Sequence, residues 1–177
     1  SSIKFVGNNS IRGNRLKDII ASEESKFWKV ISRNTVLSEN LINLDIRLLR
    51  NYYWSIGFYD VKISSNFAEV INEKEAKLIY SIDEGNRYVL GKISTNLDSV
   101  FDKKLFLPLN KTYKKYIGQY YSPFKIQKIL VEIDELIAAN SLQFVEHNVE
   151  EQINDNSIDI IFNIFEGQKE LVERINI

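Results

Sequence analysis

The sequence predicts an α+β fold built twice in tandem, each copy a βααββ unit in which a three-stranded mixed sheet lies under two antiparallel helices. A repeated word is the first sign: Glu84-Gly85 closes the strand-like run 78–83, and Glu166-Gly167 closes the run 160–165. Spacing is the second. An isoleucine opens a new strand nine residues beyond each glutamate, at Ile93 and Ile175, and Ile3 with Phe5 opens one a unit earlier. Register is the third, because Leu78, Tyr80 and Ile82 shifted by 82 residues land on Ile160, Phe162 and Ile164. Units of 90 and 82 residues are long for a solenoid repeat and suit small tandem domains. The expected domains are 1–86 and 87–169, with 170–177 the first strand of a following unit.

Each element has a local reason. Ile3-Lys4-Phe5-Val6 reads as a short strand, and Gly7-Asn8-Asn9 is a turn signal after it. Ser10 stands where it would cap a first helix, whose buried stripe is Leu16, Ile19 and Ile20. Ser38 followed by Glu39 opens a longer helix with apolar positions Leu41, Leu44, Leu48, Leu49, Tyr52 and Ile56. Gly57 suits the left-handed position that ends it, with Phe58 packing back on Tyr53. Residues 59–67 then alternate, with Val61, Ile63, Ser65 and Phe67 on one face, and 76–83 alternate Leu78, Tyr80 and Ile82.

The second unit repeats this order as a strand at 89–95, a helical region at 101–107 and a basic loop to Tyr121. Ser122-Pro123 supplies an N-cap and first residue for a helix whose inward face is Ile126, Ile129, Leu130, Ile133, Leu136 and Ile137. Strands at 143–149 and 157–165 complete it. In each unit the third strand pairs on both sides, parallel to the first and antiparallel to the second, so the first and second strands are edges. An unpaired edge is either blunted or used.

Composition narrows the function. With 44% hydrophobic and 27% charged residues the chain is globular, neither disordered nor collagenous. Its net charge of −1 splits at Gly85 into +1 and −2, so no overall field points to nucleic acid or to an anionic membrane. Lacking cysteine, it has no disulfide framework and no thiolate metal ligand. It has no methionine, and both ends fall in or beside strand-like runs, as expected of a piece of something longer. There is no 18-residue apolar run and no signal peptide.

Catalytic residue patterns are sparse. His147, the only histidine, has Glu146 and Glu150 nearby but no second histidine at ligand spacing and no nucleophile. Glu23-Glu24 and Glu150-Glu151 are adjacent, so regular structure points them apart. No GxGxxG or P-loop is present. The expectation is no catalytic, cofactor or metal site, and no enzyme. Lys103, Lys104, Lys111, Lys114 and Lys115, interleaved with Phe106, Tyr113 and Tyr116, read as a solvated loop flank rather than a nucleic-acid surface. Phe27-Trp28 and Tyr52-Tyr53-Trp54 read as core and helix-rim packing, with some rings open to a partner-binding role.

Taken together, Ile3-Lys4-Phe5-Val6-Gly7-Asn8, Phe27-Trp28-Lys29-Val30, Leu48-Leu49-Arg50-Asn51-Tyr52-Tyr53, Gly57-Phe58-Tyr59-Asp60-Val61 and Ile82-Asp83-Glu84-Gly85-Asn86-Arg87-Tyr88 give the chain a family likeness. It resembles tandem polypeptide-transport-associated (POTRA) domains of the BamA-like outer-membrane protein assembly factors. Phe27-Trp28 looks most like the third domain of a five-domain array, and Gly118-Gln119-Tyr120-Tyr121-Ser122 like the fourth. The second unit departs from the pattern at Asn96-Leu97 and at Asn140-Ser141-Leu142, where Asn140 would take the left-handed position.

The resemblance implies a periplasmic array at the inner face of the outer membrane, ahead of a C-terminal membrane β-barrel. Its implied partners are unfolded outer-membrane proteins and accessory lipoproteins, with no nucleic acid and no cofactor. Edge pairing suits clients of varied sequence. The expected polypeptide-binding edge is the second strand of the first unit, Tyr59, Asp60, Val61, Lys62, Ile63, Ser64, Ser65, Asn66 and Phe67. Glu84, Gly85, Arg87 and Tyr88 are the expected interdomain hinge. The rival expectation is an interaction scaffold of a related secretion or division protein that touches no client.

Overall fold

The computed structural model describes residues 2–24, 35–69 and 76–168, with the side chains of 35–37, 67–69 and 76 left aside. Phe27-Trp28 and the strand expected at 170–177 lie outside these residues. The chain divides into two compact units, Ser1–Tyr88 and Val89–Ile177. Unit one contains β1 (Ser2–Val6), α1 (Gly13–Lys17), α2 (Thr35–Ser55), β2 (Lys62–Glu69) and β3 (Ala76–Asp83). Unit two contains β4 (Val89–Leu97), a 3-10 turn (Lys103–Phe106), α3 (Leu109–Tyr116), α4 (Pro123–Ala139), β5 (Val145–Ile153) and β6 (Ser157–Glu166).

Both sheets have the expected topology. Strand orders are β1-β3-β2 and β4-β6-β5, each with a parallel first pair and an antiparallel second pair. Register makes the repeat physical: Ile3 lies beside Leu78, as Ile93 lies beside Ile160. Leu78, Tyr80 and Ile82 are buried, and so are Ile160, Phe162 and Ile164. A ring stacks on the same central position in each unit, Phe5 on Tyr80 at 5.7 Å and Tyr113 on Phe162 at 5.8 Å.

In the first unit Leu16, Ile20, Leu49, Tyr53 and Phe58 close the core above the sheet. α2 ends in a Schellman motif, with the Phe58 amide on the Tyr53 carbonyl at 3.1 Å and Gly57 at φ +101°. Phe58 packs edge-on against Tyr53 at 5.5 Å. α2 starts three residues before Ser38, and Ser10 caps no helix. The Ser10 amide and hydroxyl turn to Glu84 instead (3.0 and 2.7 Å), and α1 begins at Gly13 behind Arg12. Asp45 is fully buried in the middle of α2. It accepts from the Ala21 and Ser22 amides (2.7 and 3.1 Å) and the Tyr80 hydroxyl (2.6 Å), which compensates its desolvation.

In the second unit the expected basic loop is largely helix. Leu109, Tyr113 and Tyr116 recur at i, i+4, i+7 and are buried, which folds α3 against the sheet and turns its lysines outward. The Thr112 hydroxyl joins α3 to α4 through Glu132 at 2.7 Å. α4 begins at Pro123 as its sequence requires, but its stop is displaced by one residue. Ser141, not Asn140, takes positive φ at +53°, because Leu142 bonds to Ile137 and the Asn140 side chain holds the Leu136 carbonyl (2.8 Å). On the sheet face away from the helices, Asn96 donates to Asn163 (2.9 Å), which donates to Asn148 (2.8 Å), one amide row across all three strands.

Candidate functional site: the open edge of the first sheet

β2 pairs with β3 along Lys62↔Asp83 to Glu69↔Ala76, and among the described residues nothing pairs with its other side. Lys62, Ser64, Ser65 and Asn66 are exposed, while Ile63 is half-buried opposite Ile82. Among the described residues the backbone groups on the outer side therefore have no ladder partner. Main-chain donors and acceptors set in a row are what an incoming extended chain needs, whatever its sequence.

Three residues expected in this strand lie before it. Tyr59 and Asp60 form a turn and Val61 is buried in the core. Their alternation imitates a strand, but Tyr88 claims them: its hydroxyl donates to Asp60 at 2.9 Å and its ring meets Tyr59 edge-on at 6.1 Å. The edge is thus Lys62–Glu69.

A shallow groove of about 730 Å³ runs between this edge and α2, lined by Arg50, Trp54, Tyr59, Lys62, Ile63 and Asp83 among others. Leu49 and Tyr53 fill the buried stripe of α2, so Arg50 and Trp54, one position further round, line its flank. Arg50 sits over the Trp54 ring at 5.9 Å. Trp54 belongs to the Tyr52-Tyr53-Trp54 cluster that the sequence reads as core and helix-rim packing with some rings open to a partner, and it is on the groove side. The sequence signal was its i, i+4 spacing from Arg50, one step off the apolar face. An indole beside an open strand edge offers apolar area to a side chain of a bound strand, and the arginine a cation.

The four expected hinge residues are all tied to the first unit. Glu84 is 8% exposed and accepts from Ser10 and from the Tyr53 hydroxyl (3.1 Å). Burial, and then the charge of Glu84, push the Tyr53 hydroxyl well above the ordinary tyrosine range. The Gly85 amide meets Asp83 at 3.3 Å, and Arg87 donates to the Ile56 carbonyl at 2.6 Å while covering the Phe58 ring. The Tyr88 amide donates to Gly57 at 2.8 Å. These bonds carry the unit to residue 88, two beyond the expected boundary at 86. Motion at Arg87 or Tyr88 has to break them.

His147 pairs with Asp134 at 2.7 Å across β5 and α4, an ordinary strand-to-helix contact. Among the described residues no group of three or more potential metal ligands comes together. No described helix is long and apolar enough to cross a membrane.

Comparison with known proteins agrees with this geometry. The POTRA family model, described as a surface antigen variable number repeat, matches residues 1–85. The outer membrane protein assembly factor BamA of Nitratidesulfovibrio vulgaris is 23% identical over 98% of this chain and 22% of its own length. BamA of Buchnera aphidicola is 22% identical over 99% of this chain and 28% of its own. The chain thus spans about a quarter of these relatives. A crystal structure of Haemophilus influenzae BamA POTRA3-5 superposes with a TM-score of 0.64, at 14% identity, over 95% of this chain and 66% of that one. Residues 1–85 thus match the POTRA family, and the two units together share the fold of the solved BamA POTRA array.

Proposed function

We propose that this chain is a periplasmic module of an outer-membrane β-barrel assembly factor, and that it receives unfolded outer-membrane polypeptides by strand addition along Lys62–Glu69. Supporting this reading is the unpaired edge beside a groove that Arg50 and Trp54 line. Main-chain pairing supplies sequence-tolerant attraction, and the indole and guanidinium act as weak side-chain filters. One short edge that orders an unfolded chain binds it weakly, which lets a client move on. The remaining surface is available to accessory lipoproteins of the same machine. Arg87 and Tyr88 act in this reading as the point from which the next domain is set.

An amide NMR titration with a strand peptide from an outer-membrane barrel tests the proposal. Shifts are expected along Lys62–Glu69 and at Arg50 and Trp54, saturating only at high peptide concentration. Shifts absent from that edge would overturn client handling and leave an interaction scaffold.

A further inference from the structure

We infer that the α3–α4 face of the second unit is a docking site for an anionic phospholipid surface. The near-zero net charge of the chain conceals a strong segregation. Residues 103–131 hold seven lysines and no acidic residue, while the rest of 89–177 holds three basic and thirteen acidic residues. Six of the lysines, Lys103, Lys104, Lys111, Lys114, Lys115 and Lys128, are exposed, and among the described residues none of them makes an ion pair. The seventh, Lys125, is half-buried on the Tyr120 carbonyl at 2.7 Å, and desolvation lowers its pKa. It braces the turn instead of presenting a charge.

Large apolar side chains project from the same stretch: Leu107, Ile117, Tyr120, Phe124 and Val131 are each about half exposed. Their positions follow from the fold. The buried stripe Leu109, Tyr113 and Tyr116 commits one side of α3 to the core and leaves the lysines outside. The turn after α3 then holds Ile117 and Tyr120, and Phe124 follows in the first turn of α4.

Lysines around protruding aliphatic and aromatic tips make an interfacial pattern, with cations at headgroup level and apolar groups reaching the acyl boundary. The cations also discriminate between occupants. All seven are lysine and none is arginine, whereas protein interfaces enrich arginine and deplete lysine, and bidentate capture of a single phosphate calls for arginine. Compact, strongly hydrated charges suit a diffuse layer of anionic headgroups. The acidic remainder of the unit favours turning this face, and no other, toward such a layer.

Co-sedimentation of the chain with vesicles tests the inference, comparing phosphatidylcholine alone with mixtures in which about a third of the lipid is phosphatidylglycerol. Binding is expected only to the anionic vesicles, and added salt should release it. K111Q/K114Q/K115Q should weaken it on the order of 100-fold, at about 1 kcal/mol per lysine. Phe124→Ser should weaken it less, and circular dichroism should show both variants folded. Lys62→Glu, on the client edge, should leave vesicle binding unchanged, so this inference and the client proposal fail separately. Equal binding to neutral vesicles, or anionic binding that survives the triple substitution, would overturn it. So would no vesicle binding at all, which would leave the patch to an acidic protein.

Discussion

Replacing Glu84 with alanine should strongly destabilise the first unit and spare the second. The carboxylate is 8% exposed and receives the Ser10 amide (3.0 Å), the Ser10 hydroxyl (2.7 Å) and the Tyr53 hydroxyl (3.1 Å). Hydrogen bonds to a charged acceptor net about 1.5–3 kcal/mol each. Alanine relieves the burial of the charge but strands the Tyr53 hydroxyl, whose residue is fully buried, so the net loss is about 3–5 kcal/mol. A domain of this size has about 5–15 kcal/mol in total and loses about 4–8 °C of midpoint per kcal/mol. A drop on the order of 15–30 °C follows. Trp28 and Trp54 are the only tryptophans and both lie in the first unit, so their fluorescence follows it alone. Exposed Glu166 is the control, and its alanine variant, read by circular dichroism, should cost less than about 1 kcal/mol. A Glu84→Ala midpoint within two or three degrees of the parent's would refute the clamp, with about 0.5 kcal/mol as its upper limit.

Gly7→Ala should cost at least about 3 kcal/mol, because φ is +83° and a Cβ there would fall on the Ile82 carbonyl of the central strand. Gly118→Ala, with a similar φ of +81° but open space around it, should cost only about 1–2 kcal/mol by urea unfolding. Alkali should destabilise the first unit. Burial raises the Tyr53 and Tyr80 hydroxyls well above their ordinary value, so above about pH 10 the unfolded chain loses protons that the folded one keeps. Stability is then full below pH 10 and falls by up to about 2.7 kcal/mol per pH unit above it, a slope that Tyr80→Phe should halve in fluorescence-monitored unfolding. Successive edge residues turn their amides alternately toward β3 and toward solvent, so of Ser64→Pro and Ser65→Pro one should abolish peptide binding with little loss of stability. The other should destabilise the sheet, and equal effects would argue against strand addition.

Features that rest on neighbouring residues were legible in the sequence. The strand alternation, the Gly57-Phe58 stop and Ser122-Pro123 each depend on side chains within one turn or one strand, and the structure has them where the pattern puts them. Features that rest on distant partners were not. Nothing near Glu84 announces that its donors are Ser10 and Tyr53, 74 and 31 residues away, or that Asp45 will serve Ala21 and Tyr80. The start of β2 slipped for the same reason: Tyr59, Asp60 and Val61 alternate like a strand until Tyr88 takes the first two into a turn. α3 was hidden by composition, because its three buried residues are separated by lysines that look like a loop until the helix puts them on one side. The groove beside the edge needed the structure too, since it lies between elements.

The repeated Glu-Gly word shows why the two units share a fold without sharing its polar wiring. Tyr53 and Ile137 hold the same place, each offering the carbonyl that takes the final amide of a Schellman stop. Tyrosine there carries a hydroxyl into the core, and a buried hydroxyl calls for an acceptor, which Glu84 supplies from the end of the central strand. Isoleucine makes no such demand, so Glu166 stays exposed and the second unit closes its core with apolar side chains and a stacked Tyr113–Phe162 pair. It follows that a Tyr53→Ile exchange alone should be worse than Tyr53→Ile with Glu84→Ala, because the single change leaves a buried carboxylate short of a donor. Additive losses in that pair would mean that the glutamate is held by Ser10 alone, and that the tyrosine contributes only its ring.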